Sequence, residues 1–167
     1  MLKIAPIAAA ALFSMSAFAV QKDITVTATI DPTLEILSAD GSALPSSVTM
    51  AYMPGKGLQA KEVMTKIYSN DKSKDLQVRL ANEVTLTNQT SPGAAPVPLS
   101  VKFGGQEITT AATTLKSAEL FPGDLAEGSH SVALSISQKT VGTVADAGIY
   151  QGVLSLIVTQ SAAAEKS

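Results

Sequence analysis

Apolar residues fall on every second position in a series of short runs. In Asp23–Pro32 (D-I-T-V-T-A-T-I-D-P), Ile24, Val26, Ala28 and Ile30 alternate with Thr25, Thr27 and Thr29. This is the pattern of a β-strand with one apolar and one polar face. Threonine favours strands, so local preference agrees with the pattern. Asp31-Pro32 ends the run, because proline has no N–H to donate and restricts the residue before it. The same reading predicts strands over Thr33–Ser38, through Val48, Met50 and Tyr52, over Val63–Tyr68, through Leu76, Val78 and Leu80, and briefly over Val84–Leu86. Val97, Leu99, Val101 and Phe103 form another alternating face; Pro98 within it points to an edge or a strand start. Gly104-Gly105 signals a hairpin returning through Glu107-Ile108-Thr109. Thr113–Leu120 fits either a strand or a short helix, Phe121–Ser129 is loop, and Val132, Leu134 and Ile136 mark a further strand.

Gly148–Thr159 is the last and most apolar of these segments. Its centre, Val153–Val158, is nearly continuous apolar, so it is expected between neighbours and buried on both faces. The tail Ser161–Ser167 is small and polar, expected to be disordered, and offers no strand to pair with the far side. Many short strands bounded by turns point to an all-β, immunoglobulin-like β-sandwich. That sandwich is one strand short at its C-terminal end, while the chain carries a spare strand at its N-terminal end. The spare strand completes either its own domain or another copy.

Met1–Ala19 has a basic start at Lys3, an apolar run Ile4–Phe13 and an Ala17-Phe18-Ala19 ending, the form of a secretory signal peptide. The run is shorter than the roughly 20 residues of a membrane span. The expected organisation is therefore a signal peptide over 1–19, an N-terminal extension over 20–32, a β-sandwich over 33–160 and a tail over 161–167. With no Cys, the exported domain relies on its core rather than on disulfides. A net charge of −2 argues against a nucleic-acid partner.

No catalytic, cofactor or metal constellation stands out. His130, the single histidine, lies between Ser129 and Ser131 and reads as a loop-edge residue. The aspartates follow no calcium-loop spacing. Gly55-x-Gly57-x-x-Ala60 lacks the strand–helix setting of a dinucleotide site. Asn88-Gln89-Thr90 has the form of a glycosylation sequon but reads as loop chemistry. Tyr52, Tyr68 and Tyr150 could stack on a sugar, though their strand positions favour core or half-buried packing. The lysines from Lys56 to Lys74 read as a solvated face.

The blocks V-Q-K-D-I-T-V-T-A-T-I-D-P and L-E-I-L-S-A-D-G-S-A-L-P-S-S-V, with T-K-I-Y-S-N-D at Thr65–Asp71 and A-G-I-Y-Q-G-V-L-S-L at Ala147–Leu156, resemble one family. It is that of the alpha-type (class 5) chaperone–usher fimbrial major subunits, which includes the colonisation-factor antigens and the cable pilus pilin. The resemblance implies a structural subunit of an adhesive fimbria at the cell surface, not an enzyme and without a cofactor. It implies export to the periplasm, a chaperone lending a strand to the open sandwich, and an outer-membrane usher exchanging that strand for another subunit's extension. Identical subunits then form the fibre, and a different subunit carries the adhesin at its tip. Carried onto this chain, the donor face is Ile24, Val26, Ala28 and Ile30, with Pro32 at the junction. The groove that accepts it is expected beside Tyr150, Val153, Leu154, Leu156 and Val158. The alternative is a monomeric cell-surface β-sandwich that binds host glycans directly.

Overall fold

Alternation in the sequence becomes alternation of burial. In the computed structural model, Leu76, Val78 and Leu80 are buried while Gln77 and Arg79 between them are exposed. Val97, Leu99, Val101 and Phe103 point inward in the same way, as do Val132, Leu134 and Ile136. The structure describes residues 34–161. The chain divides into two units, residues 1–30 and 31–167, and the described residues belong to the second. The expected signal segment, the donor positions Ile24 to Ile30, Pro32 and residues 162–167 lie outside the described residues.

Among the described residues twelve strands follow in chain order: β1 Leu34–Ser38, β2 Tyr52–Met53, β3 Gly57–Leu58, β4 Lys61–Ser69, β5 Leu76–Leu80, β6 Thr85–Asn88, β7 Val97–Phe103, β8 Gln106–Ile108, β9 Thr113–Leu115, β10 Val132–Gln138, β11 Tyr150–Gln151 and β12 Leu156–Gln160. A four-residue helix, α1, spans Ser117–Leu120, and a 3-10 turn spans Leu125–Glu127. One sheet runs β1-β4-β10-β7-β6-β11, with β8 also on β7; a second runs β12-β5-β9; β2 and β3 form a small hairpin. All these pairs are antiparallel. The β7–β8 hairpin turns on Gly104 and Gly105, both at positive φ (59° and 81°), which a two-residue hairpin of this kind requires.

The core lies between the two larger sheets. Phe103, Ile67, Leu76 and Val78 are fully buried. Polar groups in the core are satisfied: the Thr65 hydroxyl donates to the Val132 carbonyl at 2.8 Å. The Ile67 N–H donates to Ser129 Oγ at 2.9 Å. Unpaired buried groups would cost more than a typical hydrogen bond returns.

Several expectations are corrected. Gly148–Thr159 is not one strand buried on both faces. It pairs first with β6 through β11, leaves that sheet, and pairs with β5 through β12. Val153, between the two, is 80% exposed. At Gly152 the backbone passes so close to β6 that an added Cβ would lie 2.4 Å from the Thr85 carbonyl oxygen. The apolar run thus serves two sheets in succession rather than the centre of one. The predicted strand through Val48, Met50 and Tyr52 is mostly unpaired; only Tyr52–Met53 joins β3. Tyr52 is 46% exposed rather than packed in the core, whereas Tyr68 and Tyr150 are half-buried as expected. Thr113–Leu120 is both alternatives in turn, strand β9 and then α1. Ser161, the first residue of the expected tail, is held by two hydrogen bonds to the Asp75 carbonyl.

Candidate functional site

The core is open along one side. A groove of about 1620 Å³ reaches down to buried residues of the larger sheet, among them Val97, Leu99, Leu134 and Ile136, and to Val84 just before β6. Its volume exceeds the roughly 300–1,000 Å³ of a small-molecule pocket. Ile36 of β1 stands on one side and Leu156 of β12 on the other. Two irregular stretches, residues 44–50 and 144–149, wall the rest. Among the described residues, β1 pairs only with β4 and β12 only with β5. Among the described residues each strand therefore has one backbone edge without a ladder partner, the arrangement that accepts an added strand.

The groove is almost wholly uncharged: among the described residues, Asp146 is the one charged residue in its lining. The perturbed groups lie elsewhere. The Asp75 carboxylate is held below the usual range by the Lys116 ammonium (2.7 Å) and the Ser117 N–H. Hydroxyl and backbone donors of Ser42 and Ser73 do the same for Asp40 and Asp71. His130 is exposed, its N–H donating to the Leu120 carbonyl. Apolar contact and backbone pairing are what this surface offers.

Of the residues expected beside the groove, Tyr150, Val153, Leu154 and Leu156 line it, and Val158 does not. Val158 packs on the core with Leu156, one step further along the sheet. The opposite wall, with Ile36, Met50 and Val63, is absent from the expected positions. Its alternating pattern marks an inward face without telling which inward residues remain uncovered.

Asn88, expected as a loop residue, proves to be structural. The residue is 8% exposed. Nδ2 donates to the Ala147 carbonyl at 3.2 Å, and Oδ1 accepts from the Thr90 N–H, the Thr90 hydroxyl and the Ser91 N–H. It fastens the 144–149 stretch to the end of β6. The readable signal is the asparagine–threonine spacing as a side-chain turn.

Comparison with known proteins decides what kind of molecule carries this groove. Residues 20–159 match the family described as CS1 type fimbrial major subunit. The chain belongs to that family. As a CS1 type major subunit it is 41% identical over 153 residues to a CFA/I fimbrial subunit of Escherichia coli, covering 87% of this chain and 88% of that protein. It is 37% identical over 165 residues to a CS1 fimbrial subunit of Escherichia coli, covering 95% and 96%. The solved CooA pilin subunit from enterotoxigenic Escherichia coli superposes with a TM-score of 0.68 at 34% identity, covering 78% of this chain and 88% of that one. The all-β pilin fold and the role of main structural subunit in a surface fimbria follow. The family is one of structural subunits, not enzymes. These relatives support the fibre-subunit reading and not the monomeric glycan-binding alternative.

Proposed function

We propose that this major subunit polymerises by strand donation, residues 20–32 of one copy filling the groove of the next. Ile24, Val26, Ala28 and Ile30 face inward, and Pro32 sits at the junction. The observation that carries this reading is the groove between β1 and β12, each paired along one side only among the described residues. A strand laid there would satisfy both open backbone edges. Three large aliphatic side chains contribute about 1.5–3 kcal/mol each, or roughly 5–10 kcal/mol with Ala28. That is an upper figure, since the free segment is not fully extended. Tyr150, Val153, Leu154 and Leu156 would meet the donor, and Val158 would support the wall. Such a contact does not close on itself, so its repetition gives a filament.

The same reading makes residues 1–19 a signal peptide, residues 33–160 the domain, and the periplasm the route to the surface. The family match begins at Val20, the residue expected to open the exported chain. Leu44, Ile149 and Val153 around the groove are exposed apolar side chains. Such a surface needs cover before assembly. A periplasmic chaperone supplies that cover, an outer-membrane usher exchanges it for the next subunit's extension, and the adhesin sits on a separate tip subunit.

Deleting Val20–Ile30 tests the reading. The shortened protein should bind a peptide of residues 20–32 and form no fibres by electron microscopy or as a ladder on an unboiled gel. Fibres in wild-type yield would sink it.

A further inference from the structure

The strands bordering the groove converge at one end. β1 begins where β12 finishes: Leu34 is the partner of Ser69, and Gln160 reaches across to that same Ser69. The two hydrogens of its side-chain amide are both used, one toward Ser69 Oγ at 2.7 Å and one toward the Asp71 carbonyl at 3.2 Å. Ser161 follows with its N–H (2.8 Å) and hydroxyl (3.0 Å), both to the Asp75 carbonyl. Here β1 comes alongside β12. The lining of the groove records the closure: Ile36 and Leu156 belong to it, while Leu34, Val158 and Gln160 do not. The lining thus stops short of the Gln160 clasp and takes in the 44–50 and 144–149 stretches.

An alternating donor strand has an ambiguous register. Side chains repeat every two residues, so sliding the strand by two returns an apolar face to the groove. Ala28 and the flanking Lys22 and Pro32 oppose such a slip, but with Ile24, Val26 and Ile30 all aliphatic much of the buried face is the same in both registers. We infer that the Gln160–Ser69–Asp71 clasp is the stop that fixes the register of the incoming strand, by closing the groove at one defined depth. This rests on the strand-donation reading above. Gln160 is a positioning residue: its amide holds the two sheets together and leaves the donor nothing to slide into. With the clasp gone, β1 and β12 can part at this end, and a second register, displaced by roughly 7 Å, becomes accessible.

The absence of Cys from the chain makes the register directly readable. Ile157 lies on the outer face of β12 beside Leu156, the face that the donor threonines would share. Full-length subunits carrying Ile157→Cys and one of Thr25→Cys, Thr27→Cys or Thr29→Cys are assembled, oxidised and run unreduced. A disulfide needs Cα atoms within about 4.4–6.8 Å, so a two-residue slip takes a position out of range. With Gln160 intact, one threonine position should carry nearly all of the cross-linked ladder. With Gln160→Ala, the ladder should divide between that position and its neighbour two residues away. Gln160→Met, which keeps the volume and loses both hydrogen bonds, is scored identically should the alanine variant not assemble. An unchanged single position in the variant overturns the register stop while leaving strand donation standing. Loss of assembly in both variants also overturns it, since Gln160 then serves folding. Fibres with no cross-link at any of the three threonines overturn the expected register, whereas fibres from the Val20–Ile30 deletion overturn strand donation itself.

Discussion

Asn88 grips Ala147 of the groove wall, its Nδ2 donating to the Ala147 carbonyl at 3.2 Å. The other half of the same side chain shapes the turn after β6, accepting from the N–H groups of Thr90 and Ser91. Asn88→Asp separates the two roles. It keeps the acceptor and replaces the donor with a carboxylate oxygen facing a carbonyl. A buried partner left unsatisfied costs about 1–3 kcal/mol. The variant should unfold at lower urea and release a donor peptide faster than wild type. Wild-type values in both measurements would mean the 144–149 wall is not held here.

Ser129 serves Ile67 with both of its polar groups. Its N–H donates to the Ile67 carbonyl at 2.7 Å, and its Oγ accepts the Ile67 N–H. Ser129→Ala leaves that N–H, inside the core, without a partner. The expected loss is about 1–3 kcal/mol, read as a lowered urea midpoint with unchanged slope.

Phe103 and Val153 should behave in opposite ways. Phe103 is 0% exposed, and Phe103→Ala should cost about 3–5 kcal/mol in the lone protein. Val153 is exposed, and Val153→Ser should change the stability of the lone protein by less than about 0.5 kcal/mol. Its effect should emerge in binding of the residue 20–32 peptide, measured by titration. Equal peptide affinity in Val153→Ser and wild type would remove this residue from the acceptor wall.

The Asp75–Lys116 pair sets a pH dependence whose sign follows from its directions of shift. Asp75 is lowered, chiefly by the Lys116 hydrogen bond. Its contribution is present above the unfolded value of about 3.9 and is lost as pH falls through the lower folded value. Lys116 is raised by Asp75, so its share is present below its unfolded value of about 10.4 and fades as pH rises through the folded one. Lys116→Ala should therefore be slightly less stable than wild type at pH 7. The difference should shrink in urea titrations carried down toward pH 2. A gap that widens with acid would reverse the assignment.

The sheets were legible wherever alternation and burial coincide, as in Leu76–Leu80 and Val97–Phe103. Pattern reports a face, however, and not a partner. Val48, Met50 and Tyr52 alternate as a strand does, yet most of that stretch finds no neighbour and becomes a groove wall. The apolar density of Val153–Val158 implies double burial, but Gly152 lets the chain leave β6 and reach a second sheet. Four of the five expected acceptor positions line the groove because they come from one continuous stretch. The opposite wall, assembled from β1, β4 and the 44–50 stretch, depends on tertiary closure that no local window contains.

The position of β1 and β12 on either flank of one groove also bears on force. A strand seated in that groove would border the rims where they lie open, so a pull along its length would load its ladder bonds together, in shear, rather than peeling them one after another. A fibre joined in this way would resist tension at each junction with many weak links acting together, without a single covalent bond between its subunits.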